Sequence, residues 1–260
     1  MPQVSPTMQF SSYIVCGTPR SGSTLLCRML TETRVAGCPH SYFRQEDIAE
    51  WAEEWGVEPA RGPDDVQFDK AYVTAMRRVG TNDTGTFGLR LMWASVAGAS
   101  RRLDNIAGGK ADVAARLEET FGPTLYIHLS RLDKVAQAVS LIRARQSGLW
   151  HRNSDGTVLE GEETPRPVAY DGGQIAQTVR ELEEDDASWA NFFRSRAIEP
   201  LRLTYETMSD DPQLALSKVL SGLGRDPVLA RTVKVGTARL ADATSSDWVA
   251  RYRRETGRKA

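Results

Sequence analysis

At residues 17–24 the chain reads GTPRSGST, directly after the apolar run YIVC at 13–16 and directly before LLCRML at 25–30. The apolar run predicts a buried strand, and the residues after the turn predict the start of a helix. Glycine tolerates backbone angles that let successive N–H groups converge on one anion, and a helix N-terminus adds unpaired donors and the positive end of its dipole. The stretch therefore predicts a phosphate-binding loop.

In this loop we expect the anion to be bound by backbone N–H groups, by two hydroxyls and by one cation. The N–H groups are those of Ser21, Gly22, Ser23 and Thr24, the hydroxyls are those of Ser23 and Thr24, and the cation is Arg20. An ordinary tight turn before a helix is the alternative, and it accounts for the glycines but not for the whole set.

The loop differs at one position from the nucleotide-binding pattern G-x-x-x-x-G-K-[ST], because Ser23 stands where the lysine is required. That lysine normally reaches the β- and γ-phosphates of a nucleoside triphosphate. Its absence argues against ATP or GTP hydrolysis. With Arg20 as the cation, the sequence predicts a phosphate loop adapted to a different anion.

Five motifs share one order along the chain: TPRSGST at 18–24, VAGCP at 35–39, GLRLMW at 88–93, IHLSR at 127–131 and DWVARYRR at 247–254. This order resembles that of the Stf0 family of bacterial carbohydrate sulfotransferases, and lipopolysaccharide sulfotransferases are similar too. The resemblance extends from about Tyr13 to Arg254. It implies the sulfotransferase fold, 3′-phosphoadenosine 5′-phosphosulfate (PAPS) as sulfuryl donor, 3′,5′-ADP as product and no metal.

The resemblance also implies a second phosphate site. In the family pattern an arginine after a strand and a serine about two helical turns later hold the 3′-phosphate, and they match Arg131 and Ser140. A guanidinium makes two-pronged contacts with phosphate. The C-terminal motif is implied to close over the nucleotide through Trp248, Arg251 and Arg253, although a basic solvated tail with a docked tryptophan is an equal alternative.

Sulfuryl transfer needs a base for the hydroxyl proton and donors for the developing charge. Where the family has its catalytic glutamate, this chain has Ser41, which cannot act as a base unaided. The nearest titratable residue is His40, with an ordinary pKa near 6.5; it is a candidate base, as are Glu46 and Asp47. The alternatives are that His40 is a polar loop residue without a catalytic role and that the site has no strong base. Arg90 stands where the family has a lysine and is expected to stabilise the sulfuryl oxygens or to position the acceptor.

The chain has 260 residues and a near-neutral balance of 33 basic and 34 acidic residues, so it offers no basic excess for nucleic-acid binding. No apolar stretch approaches the roughly 20 residues that span a bilayer, and no signal peptide is evident. Cys16, Cys27 and Cys38 lack metal or disulfide spacing and predict reduced thiols. We expect a cytoplasmic protein for which peripheral membrane contact is possible.

Strands at 13–16, 86–93, 124–129 and 201–205 alternate with helical patterns, which predicts an α/β fold with a central parallel sheet flanked by helices. We expect one domain over 1–260, with a loose tail at 1–10 and a long mobile loop at 146–173, which is rich in Gly, Pro, Asp and Glu. The resemblance implies a homodimer.

The leading interpretation is a PAPS-dependent sulfotransferase acting on a hydroxyl of a disaccharide, glycolipid or lipopolysaccharide. The missing glutamate leaves a non-catalytic nucleotide- or glycan-binding protein as an alternative. A P-loop kinase or NTPase is a further alternative, which the loop sequence disfavours.

Overall fold

The computed structural model describes residues 10–152, 157–164, 166–234 and 243–258. Its central sheet is formed by β1 (Ser12–Gly17), β2 (Phe87–Met92), β3 (Thr124–Ser130) and β6 (Leu201–Thr204). All pairings are parallel, in the order β2-β1-β3-β6. The carboxyl ends of β1 and β3 therefore lie side by side, each followed by a loop and a helix. The predicted α/β fold with a central parallel sheet is confirmed.

Helices cover both faces of the sheet. They are α1 (Ser23–Glu32), α2 (Ile48–Glu54), α3 (Val66–Thr81), α4 (Trp93–Ala107), α5 (Val113–Phe121), α6 (Lys134–Ser147), α7 (Gly172–Ser195), α8 (Tyr205–Asp210), α9 (Pro212–Gly222) and α10 (Ala243–Thr256). Because successive side chains of a strand point to opposite faces, β1 contributes to two cores. Ile14 and Cys16 pack with α3, α4, α5 and α7, whereas Tyr13 and Val15 pack with α1 and α9.

A short antiparallel hairpin, β4 (Leu149–Arg152) and β5 (Val158–Gly161), lies outside the central sheet. It falls within 146–173, so the prediction of an unstructured loop there is corrected for these residues. The physical reason is tertiary: the backbone and side chains of β4 bond to the loop after β1, and composition does not reveal such contacts. Residues 153–156 and 165 lie outside the described ranges, and the mobility of the segment stays a prediction.

Three further sequence predictions concern the N-terminal tail, the cysteines and membrane-spanning segments. Of the predicted tail at 1–10, only Phe10 is among the described residues. The three cysteines are present as thiols rather than in disulfides. No helix in the described ranges is both long enough and apolar enough to span a membrane.

Candidate functional site

The loop after β1 has the backbone geometry of an anion cradle. Gly22, at the N-terminus of α1, has φ 87°, and a Cβ there would lie 2.5 Å from Met208 Cε. Arg20, although not a glycine, has a positive φ of 64°. A left-handed non-glycine residue costs about 1–2 kcal/mol and persists only where its surroundings hold it. The chain therefore accepts local strain in this loop.

Two side chains from neighbouring helices hold the loop in place. Gln137 of α6 is fully buried and donates to Thr18 Oγ1 at 2.9 Å and to the Pro19 carbonyl at 2.7 Å. Trp189 of α7 donates from Nε1 to the Gly17 carbonyl at 2.9 Å. These bonds occupy carbonyls and one hydroxyl and leave the backbone N–H groups at the start of α1 facing outward. The loop is preorganised for an anion.

A chain of polar contacts links the loop to β2 and to the hairpin. Arg90 of β2 donates from Nε to Ser41 Oγ and from Nη1 to Thr24 Oγ1, both at 2.7 Å. Thr24 Oγ1 lies 3.1 Å from His151 Nε2. Three of the residues predicted for the site thus share one network, which continues through His151 to Arg20.

Arg20 connects the network to α6 and to β4. Its Nε donates to Ser140 Oγ at 3.0 Å, and its Nη1 donates to the Trp150 carbonyl at 2.7 Å and lies 3.3 Å from His151 Nε2. Ser140, predicted for the 3′-phosphate site, therefore also contacts the cation of the first loop. The two predicted anion sites are neighbours.

Arg131, at the end of β3, lies next to the same loop. Its Nη1 donates to the Arg20 carbonyl at 3.3 Å, and its guanidinium carbon lies 4.2 Å from the centre of the Tyr205 ring. Burial lowers the pKa of Arg131, while Tyr205, Asp133 and Glu206 act in the opposite direction. Within the described part of the chain Arg131 forms no ion pair, and its buried Nε has no hydrogen-bond partner.

The three predicted residues of α10 have different surroundings. Arg253 Nη2 donates to Asp133 Oδ1 at 2.9 Å, two residues beyond Arg131. Arg251 is exposed, bonds to Glu255 and lies over the Tyr170 ring. Trp248 is buried in a core formed with α6 and α7. Arg253 therefore bonds to a residue beside the predicted second anion site, whereas Arg251 bonds within its own helix and Trp248 packs against α6 and α7.

His40 lies beside Arg90 and packs against aromatic side chains. Its carbonyl accepts a hydrogen bond from the Arg90 N–H at 3.0 Å, and its ring packs edge-on against Trp51 at 4.9 Å. Burial, then the charges of Arg90 and Arg44, lower the pKa of His40 to about 4. His40 is therefore neutral at pH 7, and its Nδ1 is buried with no partner among the described residues.

Two clefts meet at Arg90. A cleft of about 440 Å³ is lined by the phosphate loop, Ser41 and His151, and we call it the loop cleft. A second, of about 1030 Å³, is lined by His40 and Trp51, and we call it the outer cleft. Both clefts are lined by Thr24, Arg44, Arg90 and Trp150. A group bound to the loop is thus accessible from either side of Arg90.

His151 is a site residue that the sequence interpretation missed. Its pKa is lowered to about 3, mainly by burial and then by the charges of Arg20, Arg90 and Arg28. The composition of the segment around His151 indicated a loop. The contact of His151 with Thr24 joins residues 127 positions apart, which a local sequence pattern does not reveal. The available signals were the scarcity of histidine, three in the chain, and the adjacent Trp150.

No group of three or more His, Cys, Asp or Glu side chains capable of holding a metal ion occurs in the described ranges. The charged residues that line the loop cleft are four arginines, Arg20, Arg44, Arg90 and Arg145, and one acidic residue, Glu46.

Comparison with known proteins gives a family match over most of the chain. A family model described as Stf0 sulphotransferase matches residues 12–255. The chain is similar to trehalose 2-sulfotransferase of Mycobacterium tuberculosis (strain ATCC 35801 / TMC 107 / Erdman), with 29% identity over 263 residues, 95% of this chain and 96% of the relative. It is also similar to trehalose 2-sulfotransferase of Mycolicibacterium smegmatis (strain ATCC 700084 / mc(2)155), with 28% identity over 265 residues and the same coverage.

Two solved structures resemble the chain at lower similarity. The sulfotransferase domain from the Synechococcus PCC 7002 olefin synthase has a TM-score of 0.45 and 15% identity, covering 100% of this chain and 99% of that one. A sulfotransferase from Alicyclobacillus acidocaldarius has a TM-score of 0.45 and 12% identity, covering 95% and 96%.

Proposed function

We propose, on the premise that this chain belongs to the Stf0 sulphotransferase family, that it transfers the sulfuryl group of PAPS to a carbohydrate hydroxyl. The observation that carries the proposal is the contact between Arg131 and the Arg20 carbonyl at 3.3 Å. It joins two strand-end loops that each present an arginine and a helix N-terminus. A nucleotide with a 5′-phosphosulfate and a 3′-phosphate has two anionic ends to match them.

The residues present fit such a donor. Arg20 and the N–H groups of Gly22, Ser23 and Thr24 would bind the 5′-phosphosulfate, and helix N-termini favour such anions. Arg131, Ser140 and Arg253 would bind the 3′-phosphate. The buried Arg131 Nε and Ser21 Oγ have no hydrogen-bond partner within the described ranges, as expected for groups at the edge of a ligand site.

Arg90 is suited to stabilising charge on the sulfuryl oxygens during transfer. Its bonds to Ser41 and Thr24 fix the guanidinium at the start of α1. A fixed cation costs no reorganisation when charge develops in the transition state. Ser41 would thus act by orienting Arg90. His40 is retained as a candidate base reached from the outer cleft.

The acceptor is proposed to be a carbohydrate, either free or as part of a glycolipid or lipopolysaccharide. The two relatives are named for sulfation of trehalose, which supports this class. In the outer cleft, Trp51 offers an aromatic surface beside acidic and basic side chains, a combination suited to sugar rings and hydroxyls. We further propose a homodimer acting in the cytoplasm.

One observation favours a second candidate function. Ser41, at the position of the family's glutamate, does not supply a catalytic base. Its hydroxyl instead accepts a hydrogen bond from Arg90. A protein that binds nucleotide or glycan without transfer would show this. Transfer of labelled sulfate from PAPS to a carbohydrate or cell-envelope fraction would exclude it.

The donor site is tested by calorimetry with two nucleotides. We expect 3′,5′-ADP to bind more tightly than 5′-ADP by about 10-fold or more, because one further charged hydrogen-bonded group is engaged. Equal affinities would remove the 3′-phosphate site and with it the assignment of PAPS. Magnesium-dependent ATP turnover would instead favour a kinase or NTPase.

A further inference from the structure

We propose that His151, on β4, is the catalytic base, and that its Nε2 takes the proton of the acceptor hydroxyl. The inference rests on the proposed function. It is carried by the placement of an imidazole nitrogen in the loop cleft, in contact with Thr24 in the first turn of α1 and with the loop cation Arg20. The family's glutamate position, Ser41, provides no base there.

The hydrogen-bond pattern identifies which ring nitrogen accepts. His151 Nε2 lies 3.3 Å from Arg20 Nη1 and 3.1 Å from Thr24 Oγ1. Arg20 Nη1 also lies 3.5 Å from Nδ1, and a guanidinium has donors and no acceptor. In the proposed tautomer the nearer nitrogen, Nε2, accepts and Nδ1 carries the ring proton. Thr24 Oγ1 already accepts from Arg90, which leaves its own proton to donate to His151. The neutral ring thus directs an accepting nitrogen at the start of α1.

The backbone holds His151 in this position. The carbonyl of the preceding residue, Trp150, accepts a hydrogen bond from Arg20 at 2.7 Å, and β4 pairs with β5. Arg20 therefore contacts both the His151 ring and the carbonyl of Trp150, the residue before it. A general base must lie within hydrogen-bond reach of the proton that it takes, and His151 is one hydrogen bond from Thr24, which is proposed to bind the 5′-phosphosulfate.

His40 meets this requirement less well. It lines the outer cleft and not the loop cleft, and its carbonyl accepts a hydrogen bond from the Arg90 N–H. Its Nδ1 is buried, and its ring packs against Trp51 and Tyr42. Of the two candidate histidines, His151 alone lines the cleft that contains Ser23 and Arg20.

Electrostatics would make the basicity of His151 depend on the donor. Arg20 from the loop, Arg90 from β2 and Arg28 from α1 all disfavour its protonation, and burial adds to their effect. A bound phosphosulfate brings negative charge among these arginines, and a nearby opposite charge favours the protonated imidazole. The base would therefore become effective when the donor is bound.

The proposed step is balanced as follows. The acceptor oxygen forms a bond to sulfur while the bond from sulfur to the bridging oxygen breaks, and that electron pair stays on the 5′-phosphate. The hydroxyl proton moves to His151 Nε2. The imidazolium is stabilised by the phosphate charge until it releases the proton to solvent.

The test uses the full chain labelled with ¹³C at histidine Cε1. The chain has three histidines, His40, His128 and His151, and His40→Gln and His151→Gln variants assign their signals. We expect saturating 3′,5′-ADP to raise the pKa of His151 by about one unit or more, the direction expected for an anion beside an imidazole. Glutamine keeps an acceptor for Thr24, so His151→Gln is expected to fold and to bind 3′,5′-ADP within about 3-fold of the wild type, well below the roughly tenfold change of one charged contact.

Transfer kinetics complete the test. We expect His151→Gln to lower kcat by ~10²-fold or more and to remove the acidic limb of its pH profile, because a general base is worth about 10²–10⁴-fold. An unmoved His151 pKa with nucleotide bound, or a larger fall in His40→Gln, would overturn the inference while leaving the donor site intact. Failure of the wild type to bind 3′,5′-ADP would instead overturn the proposed function.

Discussion

The Nη1 of Arg131 donates a hydrogen bond to the backbone carbonyl of Arg20 at 3.3 Å, across 111 residues of sequence. The contact exists because β1 and β3 are parallel neighbours, which places the loops that follow them at one edge of the sheet. Parallel α/β sheets bind ligands at this edge. The two arginines are close enough for one small molecule with two anionic ends to contact both.

The first prediction concerns Arg131, a partly buried cation that has no ion pair in the described part of the chain. We expect Arg131→Met to reduce the preference for 3′,5′-ADP over 5′-ADP by about 10–100-fold, since a hydrogen bond to a charged group is worth about 1.5–3 kcal/mol. The free energy of unfolding without ligand should stay the same or rise, because a desolvated charge is removed. Calorimetry and urea denaturation measure the two quantities.

Arg202→Met is the control for Arg131, because Arg202 is exposed on the neighbouring strand β6. It should change neither nucleotide preference nor stability by much. An Arg131→Met variant that still prefers 3′,5′-ADP over 5′-ADP as strongly as the wild type would show that the 3′-phosphate binds elsewhere.

The second prediction concerns Arg20, the cation of the loop. Arg20→Ala should abolish detectable transfer and weaken 3′,5′-ADP binding by a few kcal/mol, because the phosphate loses a charged partner. Arg34→Ala is a matched control, since Arg34 also has a positive φ, 56°, but is exposed beyond the end of α1. Equal losses in the two variants would attribute the effect to the backbone rather than to the guanidinium.

The third prediction separates backbone strain from crowding in the loop. Both Gly22 and Gly85 have positive φ, 87° and 71°, so alanine is strained at either position by about 1–2 kcal/mol. At Gly85 a Cβ would meet nothing within 4 Å, whereas at Gly22 it would lie 2.5 Å from Met208 and 3.0 Å from Tyr205. We expect Gly22→Ala to cost more stability and also to weaken nucleotide binding, because Tyr205 stacks with Arg131.

Thermal and urea unfolding compare the two glycine variants, and calorimetry gives the affinity of each. If Gly22→Ala were no less stable than Gly85→Ala and bound nucleotide normally, the proposed role of the tight loop geometry would be wrong.

The sheet and the loop were predictable because their signals are local. The strands β1 and β3 are short, largely apolar runs buried on both faces, and the run at 13–16 is followed at once by a glycine-bearing turn and a helix start. The sequence patterns did not identify helices α4 and α5. In α4 the buried face includes a charged residue, Arg102, which interrupts the apolar pattern. That arginine is buried only because it pairs with Asp69 of α3, a contact that the sequence does not reveal.

The site was predictable where residues follow strand ends and unpredictable where tertiary contacts select them. Arg20, Thr24 and Arg90 were identified from such positions, and the structure joins them in one network. His151 reaches the network from a hairpin whose composition indicated a loop. Trp248 packs against α6 and α7, since a large aromatic residue gains most from full burial, and its place near the nucleotide stays a prediction.

The fourth prediction is that stability decreases as the pH falls from 7 to 5. The folded protein holds the pKa of His40 at about 4 and that of His151 at about 3, against roughly 6.5 in the unfolded chain. Below pH 6.5 the unfolded state therefore binds more protons, and each histidine lowers the free energy of unfolding by up to ~1.4 kcal/mol per pH unit. His128 acts in the same direction.

Urea denaturation at pH 7 and at pH 5 measures this dependence. The variants His40→Gln and His151→Gln should each show a smaller loss between the two pH values than the wild type. Saturating 3′,5′-ADP should also reduce the loss, because an anion near His151 brings its folded pKa closer to the unfolded one. A loss unchanged by both substitutions would assign the dependence to other groups.

The fifth prediction concerns the two arginines of α10, which lie two positions apart on the same helix but point to different neighbours. Arg253 bonds to Asp133 at the start of α6, beside Arg131, whereas Arg251 bonds to Glu255 in solvent. Removing Arg253 leaves Asp133 unneutralised next to the proposed 3′-phosphate, so Arg253→Gln should weaken 3′,5′-ADP binding by about 10-fold and 5′-ADP binding little. Arg251→Gln removes the same formal charge from the same helix and serves as the matched control. Its affinity for both nucleotides should be close to that of the wild type, because exposed ion pairs contribute about 0–1 kcal/mol. Measurements at two salt concentrations would distinguish the two effects further: a long-range charge effect would be equal in both variants and screened by salt, whereas direct contact with the phosphate would be confined to Arg253 and would persist.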